Sequence, residues 1–423
     1  MQGSCLAEVP NVSLTKLGCD ALRPTPVLIA TPPLPQTQIS VIVPVRNEAE
    51  MLPKTLLALA NQIDFEGNAV DARGYEVIVF ANNCTDSSAA IARHFARQHP
   101  SLQLHIIEQT LPEGEAHIGR VRQMLMNEAS RRLLSLGKSS GVLASTDGDS
   151  RVDRRWIAAI RHEIACGADA VGGRTVTDRA ERAALDKATK TAYLRFVGYR
   201  YLIKQLESYL DPDPFDRAPR HYQFFGANFA VTQQMYAQAG GMPPLPTGED
   251  VAFHRAIVRA GAKVRHSALM RVTTSARRQG RATLGLADRL SQFQTLGQQQ
   301  ESFWVASAAE VEAKLLARHH LRRYWIQTTN DQSASAPAAQ RLAQLATRLA
   351  VPRAELHRAI EQSLTVGELF QRVEQCQQTL GLWQQQWATV PIEVAIADLR
   401  LSLSQWRSRA SHAPSELRSL VEV

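Results

Sequence analysis

The sequence predicts an α/β fold followed by an all-α region, and three observations predict it. Short apolar, β-branched runs alternate with segments of helical leucine spacing between residues 39 and 290. Polar, turn-forming motifs stand at the ends of several of those runs. Twenty of the 23 glycines lie in residues 1–290, whereas the last 133 residues hold three glycines and 18 glutamines. Turn-rich sequence therefore gives way to helix-forming sequence, with a boundary around 285–300.

The elements follow in order. Ile39–Val45 is an apolar run rich in valine and isoleucine, as expected of a strand buried on both faces. Residues 52–62 carry leucines at helical spacing. Tyr75–Ala81 reads as a second strand and Asp86–Gln98 as a second helix. Leu102–Glu108 is a third strand, His117–Leu136 an amphipathic helix, and Gly141–Thr146 a fourth strand. Trp156–Cys166 reads as a helix and Ala168–Val176 as a strand. Residues 180–210 look helical and interrupt the pattern; Tyr222–Val231 resumes it as a strand and Asp250–Ala260 as a helix. This βαβ alternation implies a mostly parallel sheet with helices on both faces. Beyond 290 the reading is nearly all α, with Leu342, Leu345, Leu349 and then Leu356, Ile360, Leu364 at helical spacing and a linker at Ser333–Pro337. The chain thus divides into an extended, proline-bearing leader (1–38), an α/β domain (39–285) and a helical C-terminal domain (290–423).

Composition narrows the function classes. Apolar residues at 44% and charged residues at 21% exclude a mainly disordered or collagen-like chain. The net charge of +8 over 423 residues is a mild bias that suits an anionic substrate and does not call for nucleic acid. Five scattered cysteines without a CxxC pair argue against a disulfide framework or a zinc site. No apolar run approaches the length of a membrane span, so the expectation is a cytoplasmic protein, compatible with peripheral contact at a membrane surface.

Chemistry concentrates in a few constellations. Asp147-Gly148-Asp149 follows the fourth strand, where an open α/β sheet binds its ligands. Two carboxylates on a tight turn can share a hard divalent cation, Mg²⁺ or Mn²⁺, whose remaining positions go to substrate phosphates. The same turn is otherwise an ordinary Asp-Gly surface turn. Pro44-Val45-Arg46-Asn47-Glu48 ends the first strand and faces the same crevice. Pro53 favours a helix start nearer Leu52 than a cap at Asn47, which frees Asn47 and Glu48 for a ligand. Asn82 and Asn83 end the second strand with amides suited to a base or ribose, whereas Asp86 suits a cap on the next helix and Cys84 a packing role. Gly226, Gly240, Gly241 and Gly248 permit close backbone approach ahead of Glu249 and Asp250, and a carboxylate at a helix start is favoured in the ionised form that a base needs. Arg277, Arg278 and Arg281 form a basic cluster able to neutralise a diphosphate or an anionic acceptor.

The order of these motifs resembles that of glycosyltransferase family 2 on the GT-A fold, over about residues 39–280. The resemblance implies a nucleotide-sugar pocket lined by Pro44, Val45 and Glu48, with Asn82 where many relatives carry an Asp that reads the base. Arg122 falls near the donor phosphates. Asp149 becomes the main metal ligand, and Asp147 sits near the ribose and the metal. Glu249, Asp250 and Arg277 fall on the acceptor side, with Asp250 the candidate base. Thr273 stands near where many relatives carry a His. The QxxRW motif of processive synthases is missing, which implies transfer of one sugar from a nucleoside diphosphate donor to an acceptor hydroxyl; with Asp250 as base the displacement inverts the anomeric centre, and a retaining mechanism without a base is the alternative. The alternatives are a catalytically inactive nucleotide-sugar or glycan binding protein, and a nucleotidyltransferase. A dinucleotide-binding oxidoreductase is discounted, because no glycine follows the first strand in Val45-Arg-Asn-Glu-Ala-Glu50.

Overall fold

The structure, a computed structural model, describes residues 27–277, 280, 285–299, 301–330 and 336–412. Most of the expected leader, Arg278, Arg281 and the start of the expected linker lie outside those residues; residues 27–38 have no helix or strand.

The elements in chain order are β1 (Ile39–Val45), α1 (Leu52–Ala60), β2 (Tyr75–Asn82), α2 (Ser88–Gln98), β3 (Gln103–Gln109), α3 (Ile118–Ser135), β4 (Val142–Ser145), β5 (Ser150–Val152), α4 (Trp156–Ala165), β6 (Ala170–Thr177), α5 (Arg179–Ala184) and α6 (Lys187–Leu210). They continue with β7 (Phe229–Thr232), α7 (Gln233–Gln238), α8 (Glu249–Arg259), β8 (Val264–Thr274), α9 (Leu286–Gln298), β9 (Trp304–Ala306), α10 (Ala308–Asn330), α11 (Ala336–Arg348), α12 (Arg353–Gln362), α13 (Val366–Leu380), α14 (Leu382–Gln386), β10 (Thr389–Pro391) and α15 (Ile392–His412).

Eight strands form one sheet in the order β3-β2-β1-β4-β7-β6-β8-β5. The β1 pairings with β2 and β4, β2 with β3, and β6 with β8 are parallel; β7 runs antiparallel to both neighbours, and β5 antiparallel to β8. Every residue of β1 is buried, which its unbroken apolar run required. Val41, Val43 and Val45 pack on α1 and α4 through Leu52, Leu56 and Trp156, whereas Ile42 faces α3 and α8 with Leu125 and Phe253. The two-residue period of the strand thus fills a core on each face. One polar pair crosses this interior: Arg132 on α3 donates to Glu76 on β2 from a fully buried position.

The chain reverses its winding at β1, since β2 lies on one side and β4 on the other. The carboxyl ends of β1, β2 and β4 therefore open one crevice, the usual ligand position in such a sheet.

Three expectations are corrected. The strand expected over Tyr222–Val231 is limited to Phe229–Thr232, because the preceding backbone is diverted toward α8 and α3. The C-terminal region is not all α: β9 pairs with β10 in a small antiparallel sheet. Nor does the sequence boundary near 285–290 separate two cores, since α6 packs Tyr199, Leu206 and Leu210 against Phe293 of α9 and Leu399 of α15. A second helical core joins α10 through α13. There α13 braces α8: Gln371 donates to the Arg255 carbonyl and Thr365 to that of Arg259, each at 2.7 Å.

Candidate active site

The loop after β1 is clasped to the loop after β2. Asn47 adopts a left-handed φ of 56°, its N–H points at Cys84 Sγ, and its Oδ1 accepts the Thr85 N–H at 2.7 Å. Asp86 accepts the Ala49 N–H and caps Ser88, in the structural role its sequence suggested. Helix α1 starts at Leu52 with its proline in the first turn, so neither Asn47 nor Glu48 caps it. This clasp buries Glu48, whose N–H donates to Ser88 Oγ at 2.8 Å. Pro44 and Val45 are buried beneath the crevice, and Gly148 rests on them: a Cβ at Gly148 would lie 3.0 Å from Val45 Cγ2 and 3.3 Å from the Pro44 carbonyl oxygen. Only a glycine lets the Asp147–Asp149 turn settle so closely on the end of β1.

At the end of β2, Asn82 is 3% exposed, and its Oδ1 has no hydrogen-bond partner among the described residues. A buried carbonyl oxygen without a partner is costly unless a ligand supplies the donor. Asn83 instead exchanges hydrogen bonds with Leu111.

Two guanidinium groups interleave with five carboxylates across the crevice. Arg122, on α3 and 2% exposed, donates to Asp147 Oδ1 at 2.8 Å and to Glu249 Oε1 on α8. Gly119, one turn earlier, makes this reach possible, because a Cβ there would collide with the Leu245 carbonyl at 1.9 Å. Arg277, past the end of β8, holds both Glu48 oxygens at 2.7 and 2.9 Å and lies 2.9 Å from Asp149 Oδ2. Ser150 Oγ lies 3.2 Å from the other Asp149 oxygen and 3.1 Å from Thr274 Oγ1. Asp250, at the start of α8, accepts the Gly226 N–H at 2.8 Å through Oδ2 and the Val251 N–H at 2.8 Å through Oδ1. Gly226 is again a close approach: its Cβ would lie 2.5 Å from the Arg122 guanidinium.

Asp147 lies deep among protein atoms with 34% of its side-chain surface open. This desolvation pushes its carboxyl up to about 6; Asp149 and Asp250 add to the rise, and Arg122 opposes it. Across the crevice the five carboxylates Glu48, Asp147, Asp149, Glu249 and Asp250 outnumber Arg122 and Arg277. Asp147 and Asp149 fit a hard divalent cation by their oxygen chemistry and by this excess charge. Among the described residues no group of three or more His, Cys, Asp or Glu side chains is assembled to hold a metal, so such an ion would take its further oxygens from substrate and water.

The expected residues Glu48, Asn82, Arg122, Asp147, Asp149, Glu249, Asp250 and Arg277 come together. Glu249 is 4% exposed and paired with Arg122. Arg277 lies against Glu48 and Asp149, because β8 runs past β5 and delivers it to the Asp147–Asp149 turn. Arg122 pairs with carboxylates from a buried position rather than projecting into open space. Sequence reading missed β8 itself and a cleft of about 560 Å³ beside the site, lined by β6, α6 and Tyr222. The signal for that cleft was Arg174, directly after Gly172 and Gly173 in an expected strand.

Residues 40–218 match the family model described as glycosyl transferase family 2. A glycosyltransferase, AglE, of Haloferax volcanii is 30% identical over 136 residues, 32% of this chain and 38% of that protein. A dolichyl-phosphate beta-glucosyltransferase of Drosophila melanogaster is 28% identical over 100 residues, 24% of this chain and 30% of that protein. The matched stretches thus span less than two-fifths of either relative. Among solved structures, a Pyrobaculum calidifontis mannosyltransferase, PcManGT, in complex with GDP-Man and Mn²⁺ is similar with a TM-score of 0.40 at 16% identity, over 90% of this chain and 89% of that one. Residues 1–349 of S. aureus TarS give 0.38 at 14% identity, over 82% and 92%. Among the described residues no helix is long and apolar enough to cross a membrane.

Proposed function

We propose, from the premise that residues 40–218 are a glycosyl transferase family 2 domain, that this chain transfers one sugar from a nucleoside diphosphate sugar to an acceptor hydroxyl. The observation that carries the proposal is the bridge made by Arg122, whose guanidinium joins Asp147 of the DxD turn to Glu249, the neighbour of Asp250. That bridge holds a candidate metal and diphosphate site and a candidate base in one rigid network.

In this reading the donor nucleoside lies over the ends of β1 and β2, and Asn82 Oδ1 accepts a hydrogen bond from the base. Asp147 and Asp149 would hold Mg²⁺ or Mn²⁺, whose charge stabilises the diphosphate as negative charge develops on it. Arg277, already beside Asp149, adds a guanidinium to the same face. Asp250 takes the proton of the acceptor hydroxyl as its oxygen bonds to the anomeric carbon. The bond from that carbon to the diphosphate oxygen breaks, and the electron pair leaves with the nucleoside diphosphate. One displacement of this kind inverts the anomeric centre. The backbone N–H groups of Gly226 and Val251 orient Asp250.

The test is a panel of nucleotide sugars incubated with and without Mg²⁺ or Mn²⁺. The expected product is a nucleoside diphosphate whose release needs the cation and is lost in Asp149→Asn. Release of pyrophosphate would indicate nucleotidyl transfer. Binding of a nucleotide sugar without turnover on any acceptor would leave the inactive binding protein as the correct reading.

A further inference from the structure

The cleft of about 560 Å³ beside the site has a chemical character of its own. One wall is the outer end of β6 and the start of α5, with Arg174 and Arg179; the other is α6, with Tyr193 and Tyr201, and Tyr222 lies between them. Two stretches of its lining neighbour residues of the candidate site along the chain. Arg151 and Thr273 form part of its lining and pair in register one residue beyond Ser150 and Thr274, of which Ser150 lies against Asp149. Gln223, also in the lining, precedes Gly226, the donor to Asp250, by three positions. A molecule in the cleft would thus lie beside the chain segments that carry Asp149 and the N–H donor to Asp250.

The charge balance is one-sided. Four guanidinium groups line the cleft against a single carboxylate, Asp178. Asp178 is already paired with Arg151, and Arg182 is hydrogen-bonded to Thr177. Arg174 and Arg179 are exposed, and neither has an anionic partner among the described residues. Two unpaired guanidinium forks on one wall match a phosphate or carboxylate, which each can bind through two parallel hydrogen bonds. The tyrosines opposite offer flat apolar faces with hydroxyl tips, the mixed surface that a polyhydroxylated ring needs. Tyr222 is fixed for this by Arg200, whose guanidinium lies 5.0 Å from its ring centre.

We infer that this cleft is the acceptor site and that the acceptor is a hydroxylated ring bearing a phosphate or carboxylate, with its anion on Arg174 and Arg179 and its ring against the tyrosines of α6. The inference rests on the transferase reading for the identity of the bound molecule as acceptor, but its binding test does not.

Calorimetry with glucose 6-phosphate, glucuronate and glucose, in the presence of UDP or GDP, measures it without turnover. The anionic sugars should bind about tenfold or more tightly than glucose, the worth of one or two charge-assisted contacts. Raising the salt concentration should erode that difference. In the double variant Arg174→Gln/Arg179→Gln the preference should vanish. Co-sedimentation with phosphatidylcholine vesicles, with and without phosphatidylinositol, separates the sources. Binding of the free sugars indicates a soluble acceptor, and binding confined to phosphatidylinositol vesicles a lipid headgroup; both support the anionic site. Equal affinity for glucose and its anionic counterparts with no vesicle binding would overturn the inference, as would a double variant that binds like the parent. If anionic sugars bind and no nucleotide sugar does, the transferase reading fails while the anion site stands. If nucleotide sugars bind and the anionic sugars do not, the cleft assignment alone fails.

Discussion

Arg122 donates a 2.8 Å hydrogen bond to Asp147 from a position that is 2% exposed. The same guanidinium holds Glu249, so a single buried cation orders the carboxylates of β4's turn and α8. Removing one partner of a buried pair leaves an uncompensated charge. Arg122→Met should therefore destabilise the fold by about 3–5 kcal/mol in urea unfolding. The double variant Arg122→Met/Glu249→Leu should recover much of that loss, because the buried Glu249 charge is then gone and Asp147 keeps 34% of its side-chain surface open to water. A single variant as stable as the parent would show that Glu249 finds another partner.

Asn82 gives a prediction with different signs for binding and stability. Its buried Oδ1 has no partner among the described residues, so Asn82→Ala removes no hydrogen bond from that atom in the free protein. Donor binding should weaken by roughly 1–3 kcal/mol, the scale of a lost buried partner, while the melting temperature stays level or rises. Unfolding comparable to a core deletion would assign Asn82 a packing role instead.

How far the sequence made this site legible follows from distance along the chain. Ile39–Val45 and the second and fourth strands were readable because strands buried on both faces are continuous apolar runs. Val264–Thr274 was not, since it mixes Arg, His and Ser with its apolar residues and has no clear period. Missing that strand hid the path by which Arg277 reaches Glu48, 229 positions earlier. The pairing of Glu249 with Arg122, 127 positions away, is likewise invisible to local spacing. Gly226 was singled out as a close approach, which it is, but the atom it approaches is the Arg122 guanidinium.

Acid should weaken the fold through Glu76. Burial alone would raise its carboxyl, yet hydrogen bonds from His105, Arg132 and Ser40 hold it at about 2, against an ordinary 4.5. As pH falls, the unfolded chain takes up this proton first. The stabilisation is fully present above pH 4.5 and is lost progressively toward pH 2. Its size is roughly 3 kcal/mol at neutral pH, from the difference between the two states. Urea midpoints across this window should drop steeply for the parent and more gently for Glu76→Gln. Parallel profiles would place the acid sensitivity elsewhere.

The central claim is that Asp250 is the base of a single displacement, and Asp250→Asn tests it most directly. Asparagine keeps an oxygen for the Gly226 N–H, so the loop and α8 should hold their places. Titrated with the donor and then assayed with donor and acceptor, the variant should keep the parent's donor affinity. Its turnover should fall by about 10²–10⁴-fold, the usual worth of a general base. NMR of the parent's product should show inverted anomeric configuration. Near-normal turnover by the variant with intact donor binding, or a product of retained configuration, would contradict the account.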